Sequence, residues 1–295
     1  MTRFSIAAPV LGALLLAGAA GCSAPPAQAG PDFWAGPKGT WQEVYRDDFN
    51  GPSGGPADSS SWNESVMATP YNKELEYYTT RPDNLMLDGN GNLVITARSE
   101  FFVDLNGVKS TQPYTSGRLD THGHVEPLYG RIEARIKVPA GKGLWPAFWL
   151  LGKNIDTVNW PACGEVDILE MRGSAPNVIT GSLHGPGYSD TTPFHDNFTL
   201  PSGTFADDFH VFALEWTAEG MRWLVDEQPF SWRTPQGMSA AYQTWIFDQP
   251  VYIILNLAVG GIYDGDPNAS TPMPAQMLVD YVKVSTLVPA PSDAH

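Results

Sequence analysis

The chain has 295 residues, including 29 Gly, 26 Pro and 10 Trp, with 42% hydrophobic and only 17% charged side chains. This composition suits a unit that builds a sizeable core and excludes a chain that is disordered throughout. Lys and Arg number 17 against 32 Asp and Glu, a formal charge of −15 that repels a phosphate backbone and excludes nucleic acid as a partner.

In chain order, the first element is a segment whose only charge before Pro31 is Arg3, followed by an apolar run over 6–21 and then small residues and prolines. That is the three-part layout of a secretory signal, and the run is short for a spanning helix. Two processing sites compete. Ala19-Ala20-Gly21-Cys22 resembles a bacterial lipobox, although Ala19 stands where Leu is usual; it makes 1–21 the signal and Cys22 the lipidated residue. Ala27-Gln28-Ala29 fits ordinary cleavage after residue 29. Either places the mature protein outside the cytoplasm, at the cell surface in the first case, with membrane contact only through the lipid. Residues 22–37 read as an Ala-, Pro- and Gly-rich tether, 38–288 as one domain and 289–295 as a tail. At roughly 100–200 residues per domain the length admits two, but no second linker interrupts the pattern. Cys163, the only other cysteine, reads as a buried small hydrophobe.

Strand patterns follow over 92–98, 130–138, 165–171, 178–184, 210–217, 221–226, 251–258 and 277–285, punctuated by turn signals such as Asp88-Gly89-Asn90-Gly91. The 130–138 segment alternates strictly. Ile132, Ala134, Ile136 and Val138 take one face and Arg131, Glu133, Arg135 and Lys137 the other, which predicts a strand buried on one side. No stretch combines helical periodicity with caps, so an all-β antiparallel sandwich is expected. His122 and His124 form an H-x-H pair without further ligands at a recognisable spacing.

The chemically informative segment runs from Gly164 to Gly173 and carries Glu165, Asp167 and Glu170. On a regular strand Glu165 and Asp167 share a face, whereas Glu170 lies at an odd offset and points away. One bulged residue between Asp167 and Glu170 restores it. A helix scatters the three around its axis. Three acids on one face leave three readings: a solvated acidic strand, a divalent-metal patch or a catalytic row. Retaining glycoside hydrolysis needs two carboxyls about 5–5.5 Å apart, one ionised and one protonated. Here the two glutamate Cα atoms lie roughly 13 Å apart, so their side chains must lean together. Trp145 and Trp149, four apart on an extended segment, share a face and offer flat platforms of the kind that sugars pack on.

The segment from Trp160 to Glu170 resembles the catalytic signature of glycoside hydrolase family 16 in its bulged E-x-D-x-x-E form, typical of laminarinase-like endo-β-1,3-glucanases. The blocks around Asp47–Gly51, Glu74–Thr79, Tyr114–Arg118, Tyr129–Arg135, Gly143–Trp149, Leu183–Gly187 and Ile254–Gly261 resemble that family's, in its order. The resemblance implies an antiparallel β-jelly-roll sandwich with a concave glycan-binding cleft. It also implies endo-cleavage of β-1,3-glucan such as laminarin with retention of configuration, Glu165 acting as nucleophile, Glu170 as acid/base and Asp167 assisting. Trp145, Trp149, Trp160, His184, Arg118, Asn72 and Asn256 fall at cleft positions. Mixed-linkage β-1,3/1,4-glucan hydrolysis, transglycosylation and non-catalytic β-glucan binding stay open as alternatives.

No cofactor is expected for catalysis. Some members carry a structural calcium, and the matching positions are Asp48 and Asp280 with a backbone carbonyl near Gly91; Asp48 stands where Glu is more usual. Lys73 in place of a second Asn, and Ile262-Tyr263 in place of a Trp-containing loop, depart from the family pattern at the cleft rim. A monomer is the default, since the sequence shows no oligomerisation surface.

Overall fold

The computed structural model describes residues 34–290 apart from Thr69 and Ser239. The expected signal, Cys22, the tether up to residue 33 and residues 291–295 therefore lie outside the described residues. In chain order the strands are β1 (Gly39–Asp47), β2 (Asn63–Glu64), β3 (Glu76–Tyr78), β4 (Leu85–Leu87), β5 (Leu93–Ala97), β6 (Tyr114–Ser116), β7 (Arg118–Asp120), β8 (Gly130–Lys137) and β9 (Leu144–Gly152). They continue with β10 (Glu165–Met171), β11 (Val178–His184), β12 (Phe194–Thr199), β13 (His210–Thr217), β14 (Gly220–Val225), β15 (Gln228–Arg233), β16 (Val251–Val259) and β17 (Ala275–Pro289). One helical turn, α1 (Gly261–Asp264), follows β16.

Two antiparallel sheets result. The larger runs β15-β14-β13-β8-β17-β5-β4, with β1 paired on β17; the smaller runs β12-β11-β10-β9-β16-β7-β2. A third, parallel pair joins β3 to β6. The sheets meet through their apolar faces: Ile132, Ala134 and Ile136 of β8 and Phe212, Leu214 and Trp216 of β13 share one core with Phe148 and Leu150 of β9, Ile179 of β11 and Leu255 of β16. Each fully buried Leu or Ile side chain contributes about 1.5–3 kcal/mol. That sum over two long facing sheets is why β-branched runs here prefer a sandwich to isolated hairpins. Among the described residues no helix is long and apolar enough to cross a membrane.

Strand β8 departs from expectation. Its polar face is covered, with Arg131 7% and Glu133 4% exposed. The cross-strand register sets Arg131 opposite Glu215 and Glu133 opposite Lys283, so opposite charges meet directly. Arg131 Nη1 reaches Glu215 at 3.2 Å and Lys283 Nζ reaches Glu133 at 2.8 Å, while the Trp41 indole of β1 donates to Glu215 from above. Alternation specified the strand, but long side chains from four strands seal the face that a one-sided reading leaves in water.

Several strands escaped the sequence pattern. The β14–β15 hairpin turns on Asp226 and Glu227, both at positive φ (46° and 65°), a turn type that usually advertises itself with Asn-Gly or Asp-Gly. Strand β9 contains Pro146, which argues against a central strand in sequence terms, yet it lies between β10 and β16.

Candidate active site

Strand β10 supplies the three acids. Its register against β9 pairs Asp167 with Trp149, then Leu169 with Phe148 and Glu170 with Ala147, so Ile168 is the extra residue of a bulge. Ile168 and Leu169 both enter the core, at 1% and 0% exposure. Two consecutive inward residues return Glu170 to the outer face beside Glu165 and Asp167. The bulge also frees the Asp167 carbonyl from the ladder, and Trp223 of the opposite sheet donates its indole N–H to it at 2.8 Å. Gly181 of β11 makes that reach possible, since a Cβ there meets the Trp223 ring at 2.7 Å.

The neighbouring strands complete the outer face row by row. His184 of β11 pairs with Glu165, and Trp149 of β9 with Asp167; Ala147 joins Glu170 to Asn256 of β16, which pairs in turn with Arg118 of β7. His184 Nε2 lies 3.2 Å from Asp167 Oδ2 and 3.7 Å from Glu165 Oε1. Trp145 Nε1 donates to Glu170 Oε1 at 3.0 Å. Trp149 Nε1 donates to Asn256 Oδ1 at 2.7 Å, and the Arg118 guanidinium lies 4.9 Å from the Trp149 ring centre. Trp160, in the loop before β10, is partly exposed and sits 6.0 Å from the His184 ring. Asn72 is exposed at positive φ (58°) and is tied to the site through Glu74, to which its amide donates at 3.4 Å, and through its carbonyl, which accepts from the Ile262 amide of α1 at 2.9 Å. The expected residues thus gather on one face, with Trp160 and Asn72 at its edge.

Electrostatics raises all three acids, each to about 8. Burial, then the Asp167 charge, push Glu170 to about 8, against the opposing influence of His184 and the Trp145 hydrogen bond. Burial also raises Asp167, and burial with Asp167 raises Glu165, which His184 opposes. Charge on this row is scarce, so the three acids hold protons as a group. His184 works against protonation of both Glu165, its neighbour in the register, and Glu170. One ionised and one protonated carboxyl on one apolar-backed face is the equipment for acid-assisted displacement at an acetal carbon. Glu165, Asp167 and His184 also present ligand atoms within 4.8 Å of one another, compact enough to chelate a divalent ion.

Other site residues carried weaker sequence signals. Tyr263 of α1 packs on Trp145 with ring centres 4.9 Å apart, and its hydroxyl donates to Thr180 at 3.0 Å. Arg172 lies 4.4 Å over the Tyr263 ring. Asp264, next along, fastens both flanking loops by accepting from the Gly143 amide at 2.7 Å and from the Ser174 hydroxyl. Glu74, Glu76 and Tyr78 line up at period two behind Asn256, a spacing visible in the sequence.

The expected calcium positions have partners within the protein. Asp48 accepts from Arg46 Nε at 2.7 Å, and Asp280, displaced at a bulge of β17, accepts from Arg135 Nη1 at 2.6 Å. Gly91 does approach the Asp48 carbonyl, at 3.6 Å from an ideal Cβ, but two guanidinium groups hold the carboxylates a hard cation requires. His122 and His124 are likewise engaged, with the Lys153 carbonyl and the Asn63 side chain. Cys163 is a free buried thiol, packed with Leu151, Tyr252 and Ile254 and pushed to about 11 by burial and by Glu165.

The family model for glycosyl hydrolases family 16 matches residues 72–283. The chain is 44% identical to the endo-β-1,3-glucanase of Pyrococcus furiosus in solved structures, with a TM-score of 0.79 over 85% of this chain and 97% of that one. It is 38% identical over 256 residues to a β-glucanase of Rhodothermus marinus, covering 83% of this chain and 85% of the relative. A glucan endo-1,3-β-glucosidase of Niallia circulans is 34% identical over 82% of this chain, which spans only 37% of that longer protein. With the bulged carboxylate strand, the jelly-roll sheets and a family match over most of its length, the chain belongs to glycosyl hydrolase family 16.

Proposed function

We propose that the chain is an exported endo-1,3-β-glucanase that cleaves laminarin-like β-1,3-glucan with retention of configuration, residues 38–288 forming its catalytic domain. The observation that carries the chemistry is Glu170: half-buried, held by the Trp145 indole and raised to about 8 on the same face as Glu165. In the first step Glu170 gives its proton to the glycosidic oxygen while the Glu165 carboxylate attacks the anomeric carbon, and the glycosidic C–O bond breaks. The resulting ester removes the charge of Glu165. Glu170, now ionised, takes a proton from water, whose oxygen attacks the same carbon and releases Glu165. Asp167 and His184 between the two hold the row in its mixed protonation state. Trp145 and Trp149 support pyranose rings, with Trp160 and Arg118 at the edge. The repelling surface charge fits a neutral polysaccharide as partner.

The test is release of reducing ends from laminarin, barley glucan, lichenan and agarose by residues 30–295, compared with Glu165→Gln and Glu170→Gln. Activity on laminarin, lost by about 10³-fold or more in either variant, is expected. Binding of laminarin without product by the parent overturns the hydrolase reading in favour of a glucan-binding protein. Preference for barley glucan or lichenan moves the substrate to mixed linkage. Lipidation of Cys22 is part of the same proposal: mass spectrometry of the mature N-terminus finds an acylated Cys22, whereas a free Gly30 refutes the anchor.

A further inference from the structure

Behind the Trp149 platform lies a second pair of acids to which the displacement chemistry gives no task. Glu76, on the short strand β3, is 0% exposed. Its Oε2 accepts the Val259 amide of β16 at 2.7 Å, while its Oε1 is buried without an accepted hydrogen bond. The hydrogen-bonding neighbour of that carboxyl is Glu74. Two ionised carboxylates cannot share a buried site of this kind, and a buried oxygen without a partner is costly. One proton on Glu76 Oε1, donated to Glu74, removes both difficulties. Glu74 then stays a carboxylate, accepting from Tyr78 Oη at 3.5 Å and from Asn72 at 3.4 Å. Tyr78 Oη accepts from Asn256 Nδ2 at 3.1 Å, and Asn256 Oδ1 accepts from the Trp149 indole. A continuous chain of donors and acceptors therefore runs from buried Glu76 and half-buried Glu74 to the platform, with each link fixing the direction of the next.

We propose that Glu76 and Glu74 share a single proton, and that this carboxylic acid–carboxylate pair positions Asn256 and Trp149 for sugar binding. It rests on the glucanase reading. Glu76 touches no substrate and acts as a positioning residue. Burial and the Glu74 charge hold it well above the usual carboxylate range, so the pair keeps its proton beyond the pH at which a free carboxyl loses it and gives it up only at higher pH. The charged and titratable groups around the pair are Tyr78 on its own strand, Lys73 just before it, Tyr114 of β6 opposite Glu76 in the register, and Arg118 of β7, whose charge bears on Glu74. Strand β16 contributes the Val259 amide.

The test measures Kd for a laminari-oligosaccharide by calorimetry in the Glu165→Gln background, which stops turnover, from about pH 6 to about pH 10. In that background the Kd is expected to rise about tenfold toward alkali as one hydrogen bond of about 1.4 kcal/mol is lost. Asp167 and Glu170 also titrate in this window, at about 8, so the pair's share is read as the difference between variants. Glu76→Gln, whose amide donates at every pH, keeps the neutral-pH Kd and makes the rise smaller. Glu76→Leu, which cannot donate, weakens binding at every pH, and Glu74→Gln also makes the alkaline rise smaller. A rise as large in both Gln variants as in the background, or unchanged binding in Glu76→Leu, overturns the shared proton. Thermal melts confirm that each variant is folded. Failure of the background protein to bind laminari-oligosaccharide at any pH instead sinks the glucanase reading and leaves the pair's protonation to be read from the carboxylic acid C=O infrared band, which Glu76→Gln removes if the pair is protonated and leaves in place if it is not.

Discussion

Trp145→Phe separates the electrostatic role of the indole from its role as a platform. The Trp145 N–H reaches Glu170 at 3.0 Å and stabilises the ionised carboxyl more than the protonated one. A hydrogen bond to a charged acceptor is worth about 1.5–3 kcal/mol and one to a neutral acceptor about 0.5–1.5, leaving a difference of about 1.4 kcal/mol, or one pH unit. Glu170 stands at about 8, raised by burial and Asp167 and lowered by this donor among others. Removing the donor raises it further, so the alkaline limb of kcat/KM on laminarin, which follows loss of the Glu170 proton, moves up to about 9. Phenylalanine keeps an aromatic ring against Tyr263, whose centre lies 4.9 Å from that of the indole, so the platform survives in reduced form. Its loss of area raises KM by a factor that does not vary with pH. The assay is initial-rate kinetics from pH 5 to 10 at subsaturating and saturating laminarin, with melting curves at each pH. An alkaline limb that stays in place, or moves to lower pH, refutes the assignment of that limb to Glu170 and the reasoning behind it.

Four further outcomes follow from the same geometry. Glu170 has a folded-state value above its unfolded one, so the fold gives up stability as pH rises from about 4.5 toward 8, and Glu170→Gln should stabilise by about 1–3 kcal/mol at pH 7 with no gain at pH 4, read from urea melts. Glu133 behaves in the opposite sense: burial works to raise it, but hydrogen bonds from Lys283 and Arg131 outweigh burial and hold it below the usual range. Its contribution is present at neutral pH and is lost as pH falls through the lowered value, so Glu133→Gln should cost about 2–4 kcal/mol at pH 7 and progressively less as the solution is acidified. Zinc should inhibit competitively by bridging Glu165, Asp167 and His184, and His184→Asn should remove that sensitivity; inhibition of equal strength in the variant places the metal elsewhere. Since Arg46 and Arg135 hold Asp48 and Asp280, EDTA should leave the melting temperature unchanged, and a fall of several degrees would show that calcium displaces them.

The sequence by itself determined the sandwich and the row of three carboxyls. Strict alternation in β8 and short β-branched runs admit few other folds, and Glu165, Asp167 and Glu170 could share a face only through a bulge. Period is a local property, so it survives without knowledge of partners. What alternation could not say is which outward face meets water. The Arg131 and Glu133 side of β8 is sealed by Trp41, Glu215, Arg222 and Lys283, residues up to about 150 positions away in the chain, and only cross-strand register brings them there. The same holds around the site. Tyr263 against Trp145, Trp223 on the freed Asp167 carbonyl, and the Glu76–Glu74–Tyr78–Asn256 relay each join segments whose proximity is set by strand order. Asp48 and Asp280, which the family resemblance offered as cation positions, each meet a guanidinium group, a partner that only the fold reveals for Asp280, 145 positions from Arg135. Residue chemistry is written along the chain, but whether a buried carboxyl is an acid, an anion or half of a shared proton depends on neighbours that only the fold supplies.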